Sequence, residues 1–208
     1  MPVVVAAQQK GGVGKTMLIL NLASQAARRH KTAVLDVDVD QGSSMDWGVT
    51  RKSKHPELPH VDVYLTRAFE LQKKVAALKV SGVEWIFVDL PGRDTPSISA
   101  GLNVSDIALV PCRPLENDIR PSLRTVGIIR RGGGHYAYVM NIALKRRAER
   151  LKKALEMAGH TVAPAIISER VGIPDAAMEG MGINESEPDS SGAREFAALF
   201  RWLEKQTK

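Results

Sequence analysis

The clearest chemistry in this chain lies in seven consecutive residues, Lys10-Gly11-Gly12-Val13-Gly14-Lys15-Thr16, which directly follow the apolar run Val3-Val4-Val5-Ala6-Ala7. The three glycines can turn successive backbone N–H groups toward one phosphate. Met17 to Ala23 reads as a buried helix, and its N-terminus points partial positive charge at the same place. Lys15 is then placed to bridge terminal phosphates and the Thr16 hydroxyl to bind Mg²⁺. The pattern departs from GxxxxGK[ST] in one way: Gln9 stands where the first glycine belongs, and a second lysine, Lys10, lies inside the loop. One lysine suffices for such a loop, so Lys10 is surplus within a single protomer.

Two carboxylate groups complete the pattern. The segment Leu35-Asp36-Val37-Asp38-Val39-Asp40-Gln41 carries three aspartates at alternating positions, which repel one another unless a cation sits nearby. Glu84-Trp85-Ile86-Phe87-Val88-Asp89 is an apolar strand closing in an aspartate. Asp89 is expected to hold Mg²⁺ mostly through a coordinated water, because Mg²⁺ dehydrates reluctantly. Gly92 follows three residues later, where its N–H can sense a γ-phosphate.

The loop resembles the deviant Walker A motif (KGGxGKT) of the ParA/MinD family of P-loop ATPases. The resemblance implies that Lys10 reaches across a homodimer interface to the partner's nucleotide, with ATP as the glue. It also implies cofactor contacts from Gly11, Gly12, Val13, Gly14, Lys15, Thr16 and Met17. Met17 stands where the family usually has a second threonine. Asp36 and Asp38 match the two aspartates of the family's D-x-D-P-Q segment, which face the Mg²⁺ and the attacking water. The proline is absent and Asp40 intrudes before Gln41, so Asp38 is the first candidate to position water and Asp40 the second. Asp36, Thr16 and Asp89 form the implied metal set. By the same resemblance, the segment from Pro114 to Asp118 lies close to the adenosine and Asn141 is an adenine contact. No NKxD motif occurs, which favours ATP/ADP over guanine nucleotides.

The elements that must position these residues alternate between strand and helix patterns, which predicts an α/β fold with a mostly parallel, twisted sheet and helices on both faces. Strands are expected at 3–7, 32–36, 61–65, 85–89, 107–111, 136–141 and 162–167. Helices are expected at 15–29, 68–79, 97–103, 119–131, 145–158, 175–181 and 192–205. Residues 42–60 read as a long polar loop and 184–191 as a mobile acidic one. With no linker or repeat, 1–208 reads as one domain without an N-terminal DNA-binding module. Cys112 is the only cysteine, so no disulfide forms within the chain and no cysteine-held cluster fits one protomer. No signal peptide or membrane-spanning stretch is visible, and a cytoplasmic location is expected.

The formal net charge of +6 favours a polyanionic partner. The densest basic run is Lys145 to Lys153. At helical spacing Leu144, Ala148, Leu151 and Leu155 form its buried face, and Arg146, Arg150 and Lys153 an outward stripe suited to DNA phosphates. The family resemblance then implies a ParA-type partition ATPase. Its ATP dimer binds non-specific DNA on the nucleoid, and a ParB-like centromere-binding protein stimulates slow hydrolysis. Two alternatives remain. One is a MinD-like membrane-surface ATPase using the C-terminal helix with Phe196, Leu199, Phe200, Trp202 and Leu203. The other is an ATP-dependent biosynthetic enzyme on the same scaffold.

Overall fold

The computed structural model describes residues 1–92 and 95–207. All seven expected strands are present: β1 (Val3–Ala6), β2 (Thr32–Asp36), β3 (Val61–Leu65), β4 (Trp85–Asp89), β5 (Ile107–Cys112), β6 (Tyr136–Ala143) and β7 (Val162–Ser168). They form one sheet in the order β3-β2-β4-β1-β5-β6-β7. Every pairing is parallel. β1, β2, β4 and β5 are buried along their whole length, as their unbroken apolar runs require when both faces are covered.

The helices are α1 (Lys15–Ala27), α2 (Ser43–Lys54), α3 (Leu71–Val80), α4 (Thr95–Val104), α5 (Glu116–Arg131), α6 (Lys145–Met157), α7 (Gly172–Met178), α8 (Ile183–Ser186) and α9 (Ser191–Gln206). A single 3₁₀ turn, Ala68–Glu70, precedes α3. One core layer joins α1 and α9 to Val4, Ala6, Phe87, Leu109 and Val139. The opposite layer packs α3 and α4 on Val3, Val5 and Val88. It continues with α5 and α6 on Ala108, Val110, Tyr138 and Met140. Alternate residues of each strand thus feed opposite layers.

Residues 42–60 are not a loop, because α2 occupies 43–54. Its buried face is Ser44, Trp47 and Arg51, which has helical spacing but little apolar content. All three side chains make hydrogen bonds. Arg51 pairs with both Glu185 oxygens at 2.7 and 2.6 Å, and Trp47 Nε1 donates to Met181 O at 3.2 Å. The same clamp holds the start of the stretch expected to be a mobile loop at 184–191, where α8 runs to Ser186. Glu185 is only 5% exposed, and Ser24 Oγ donates to Asn184 Oδ1 at 2.7 Å. α7 begins three residues before the expected start, with Pro174 in its first turn, where a missing N–H costs nothing. Leu144, expected on the buried face of α6, is 57% exposed because it sits at the extended N-cap, before the helical phase begins.

Candidate nucleotide-phosphate site

Sheet register assembles the site. Ala6 of β1 and Asp36 of β2 both lie opposite Asp89 of β4. The two carboxylates therefore end level with the start of the loop at 10–16. Beyond this point the chain leaves β1 for one face of the sheet and β4 for the other, which opens a crevice at the carboxyl ends of the strands.

Gly12 and Gly14 hold the loop in left-handed conformations, with φ of 72° and 83°. Gly14 also has no room for a side chain, since a Cβ there would stand 2.5 Å from Asn141 Nδ2. Asn141 donates to Val13 O at 2.8 Å and more weakly to Gly14 O at 3.4 Å, so it braces the loop from β6. Gly14 O in turn accepts Leu18 N at 2.9 Å, which starts α1. Gly92 closes in from the other side. A Cβ on it would lie 3.1 Å from Lys15 Nζ and 3.2 Å from Gly11 N.

The Lys15 side chain is 8% exposed. Burial lowers its pKa, and the charges of Asp89 and Asp38 work against that. Burial pushes the Asp89 carboxyl up to about 6, with the Asp36 charge adding, while hydrogen bonds from Thr16 and Ser44 and the Lys15 charge oppose it. Ser44 Oγ donates to Asp89 Oδ2 at 2.9 Å. Asp89 Oδ1 is buried without a hydrogen-bond partner among the described residues. A buried carboxylate oxygen left over beside a threonine hydroxyl is the donor chemistry a hard divalent cation takes. Among the described residues no cluster of three or more His, Cys, Asp or Glu could hold a metal alone. Mg²⁺ held by Thr16 and Asp89 would thus draw its remaining ligands from water and phosphate.

Asp36 is placed differently from Asp89. Its Oδ2 accepts the Ser44 and Met45 N–H groups at 2.9 and 3.1 Å, and its Oδ1 accepts Asp38 N at 3.1 Å. Burial raises its pKa and those three bonds lower it. Asp36 is therefore the missing cap of α2, since the residue at the N-cap position, Gly42, offers no side chain. Both oxygens are engaged by backbone, but Oδ1 accepts a single bond and keeps a lone pair free. Asp38 is half-buried and close enough for its charge to act on Lys15. Asp40 is exposed.

Lys10 does not point to solvent. Its ammonium pairs with Asp118 Oδ1 and donates to Asn117 O at 3.1 Å. That carbonyl is available because Pro121, four residues on in α5, has no N–H to give it. Arg113 Nε donates to the other Asp118 oxygen at 2.5 Å. Burial alone would raise the Asp118 pKa. Arg113 and Lys10 outweigh it and hold the carboxyl below its usual range.

An apolar cavity of about 320 Å³ opens beside the loop, between Met17, Asn141, Ile142, Ser168, Arg170 and Pro174. Pro114 is not among its lining residues. Ile142 takes φ 49°, a left-handed conformation rare for a β-branched residue. It sits where pairing between β6 and β7 shifts register, and its side chain packs over Gly14. Such strain typically costs about 1–3 kcal/mol and concentrates at functional sites. Periodicity carries no trace of this cavity, because its walls come from α1, β6, the end of β7 and α7. Arg146, Arg150 and Lys153 are all exposed on α6. The apolar side of α9 is spent in the core, with Phe196, Leu199, Phe200 and Leu203 each 1% exposed or less. No helix among the described residues is long and apolar enough to cross a membrane.

The family profile described as the CobQ/CobB/MinD/ParA nucleotide binding domain matches residues 4–201. The chain is 27% identical over 205 residues to the protein ParA of Rhizobium radiobacter, covering 97% of this chain and 83% of that one. It is 26% identical over 204 residues to the maintenance of carboxysome distribution protein A of Gloeobacter kilaueensis, covering 96% and 90%. The solved structure of the MinD cell division protein of Aquifex aeolicus superposes with a TM-score of 0.82 at 18% identity, covering 99% of this chain and 98% of that one.

Proposed function

We propose that this chain, which belongs to the CobQ/CobB/MinD/ParA nucleotide-binding family, is a ParA-type partition ATPase that dimerises around ATP and binds DNA in that state. The carrying observation is the two-lysine loop above Asp89. Lys15 is buried at the cradle and needs no help from a second cation in the same chain. Lys10, 31% exposed, rests on α5 at the mouth of the crevice. Transfer of Lys10 from Asp118 to a partner's phosphates exchanges one anion for another, so its desolvation is largely paid in the resting state.

In this reading the 10–16 backbone and Lys15 cradle the phosphates, and Thr16 and Asp89 hold Mg²⁺. Mg²⁺ supplies charge neutralisation at the phosphate oxygens. Asp38 orients the attacking water, its half-buried position and its charge on Lys15 favouring it over Asp40. The cavity between Met17 and Pro174 takes the adenine, with Asn141 at its inner wall. A single protomer offers little further cationic help to the transition state, so unaided turnover is slow and a DNA-bound ParB-like partner accelerates it. The ParA and carboxysome-distribution relatives support a positioning role over a biosynthetic one. The burial of the α9 apolar face argues against the membrane-surface alternative.

Oligomeric state tests this reading. With an Asp38→Ala variant, light scattering should give a dimer with ATP and a monomer with ADP. A monomer in both would reject it.

A further inference from the structure

The net charge of the chain is not spread over it. α5 carries four arginines against Glu116 and Asp118, and α6 carries six lysines and arginines against Glu149 and Glu156. Together these two helices hold a net +6, the formal charge of the whole protein, and everything else is balanced. Both helices lie on the same face of the sheet, sharing one core layer. Their C-terminal ends touch, since Arg130 donates to Gly159 O at 3.3 Å, just beyond α6.

The acids are also segregated. Asp118 is buried and neutralised by Lys10 and Arg113. Glu149 and Glu156 line the groove on the β7 side of α6, with Lys145, Lys152 and Lys153. Arg146, Arg147 and Arg150 lie outside that groove, and Lys153 stands at its rim, exposed. On α5, Arg120, Arg124 and Arg131 fall within one narrow arc at 3.6 residues per turn. All three are exposed and form no ion pair among the described residues. Glu116 is the only acid on that arc, at its N-terminal end.

We infer that Arg120, Arg124 and Arg131 of α5 form, with Arg146, Arg150 and Lys153 of α6, a two-row cationic face for the paired phosphate strands of duplex DNA. This rests on the DNA-binding reading and locates its surface, adding a row on α5. The two helices share one core layer and meet at their C-terminal ends, so a duplex laid across both presents backbone phosphates to each row. Neither row contains the paired amides or acids that read base edges, so binding is by charge and independent of sequence. The first turn of α5 also carries Asn117 and Asp118, the anchors of Lys10. The cationic face and the nucleotide loop therefore share one helix.

The test is binding of a random-sequence duplex in ATP and Mg²⁺ across a salt series. The triple variant Arg120→Gln/Arg124→Gln/Arg131→Gln should lower the slope of log affinity against log salt by about 2–3 per protomer, as should Arg146→Gln/Arg150→Gln/Lys153→Gln. Lysine at 120, 124 and 131 should restore the slope, which separates charge from packing. If the α5 glutamine variant keeps the wild-type slope while the α6 variant loses it, the α5 row is wrong and the DNA reading stands. If wild-type protein binds no duplex in ATP, the DNA reading itself fails. If it binds anionic phosphatidylserine vesicles but not duplex, the surface serves a membrane and the inference is overturned.

Discussion

Two regions of this molecule use charge in opposite ways. At the crevice, Lys15, Asp36 and Asp89 are nearly or fully buried within one network, and each is shifted from its ordinary pKa by burial. Across α5 and α6 the arginines and lysines stand in water. A buried charge pays for desolvation and must find a partner of fixed geometry. An exposed charge costs almost nothing, acts additively and fades with salt. The first arrangement suits recognition of one nucleotide, and the second suits grip on a polymer of unspecified sequence.

The comparison breaks most visibly at Lys15. Lys15→Ala should weaken ATP binding a hundred-fold or more, since removing one member of a buried, hydrogen-bonded charge pair costs about 2–5 kcal/mol. Titration with a fluorescent ATP analogue reads this directly, and near-normal affinity would remove Lys15 from the cradle.

Asp89→Asn should trade function for stability. With its pKa raised from 3.8 to about 6, the folded state holds a proton at Asp89 between those values while the unfolded state does not. Stability of the metal-free protein should then fall by about 2 kcal/mol as pH rises from 4 to 6. The Asn variant should lack that component and be more stable at pH 7, yet lose Mg²⁺-dependent hydrolysis. Denaturant midpoints for both proteins from pH 4 to 7 measure the difference. Parallel curves would place Asp89 in an ordinary environment.

Lys10 belongs to both regions. Lys10→Ala should still bind ATP yet remain monomeric by light scattering. It should also lose about 1 kcal/mol of stability by leaving Asp118 to Arg113 alone. Pro121→Ala is a finer probe, because it returns an N–H that competes for Asn117 O. The ATP dimer should then form a few-fold more readily, and weaker dimerisation would mean that the resting contact does not oppose it. On the cationic face, Arg124→Gln should change stability by less than about 0.5 kcal/mol. A larger loss in thermal unfolding would mean that this arginine packs rather than waits for a ligand.

Much of the site was legible before any coordinates. The loop at 10–16, the strand ending in Asp89 and the aspartates at 36–40 announce themselves by residue type at fixed spacing. So did the seven strands, because buried parallel strands are written as short apolar runs between helices. α2 was not legible, since its inward face of Ser44, Trp47 and Arg51 is polar and its cap, Asp36, belongs to the preceding strand. The stripe on α5 was hidden in the same way, its turns interrupted by Pro121 and Gly127.

By itself, the order of residues determined the two-lysine glycine loop, the sheet and the sum of the charge, because each depends on neighbours along the chain. Only the tertiary structure decided that Asp36 caps a helix while Asp89 keeps an oxygen to spare. It alone seats Lys10 on Asp118, 108 residues away, and gathers the whole positive excess onto two adjoining helices. Those outcomes depend on distances between elements far apart in sequence, and such distances are set by packing.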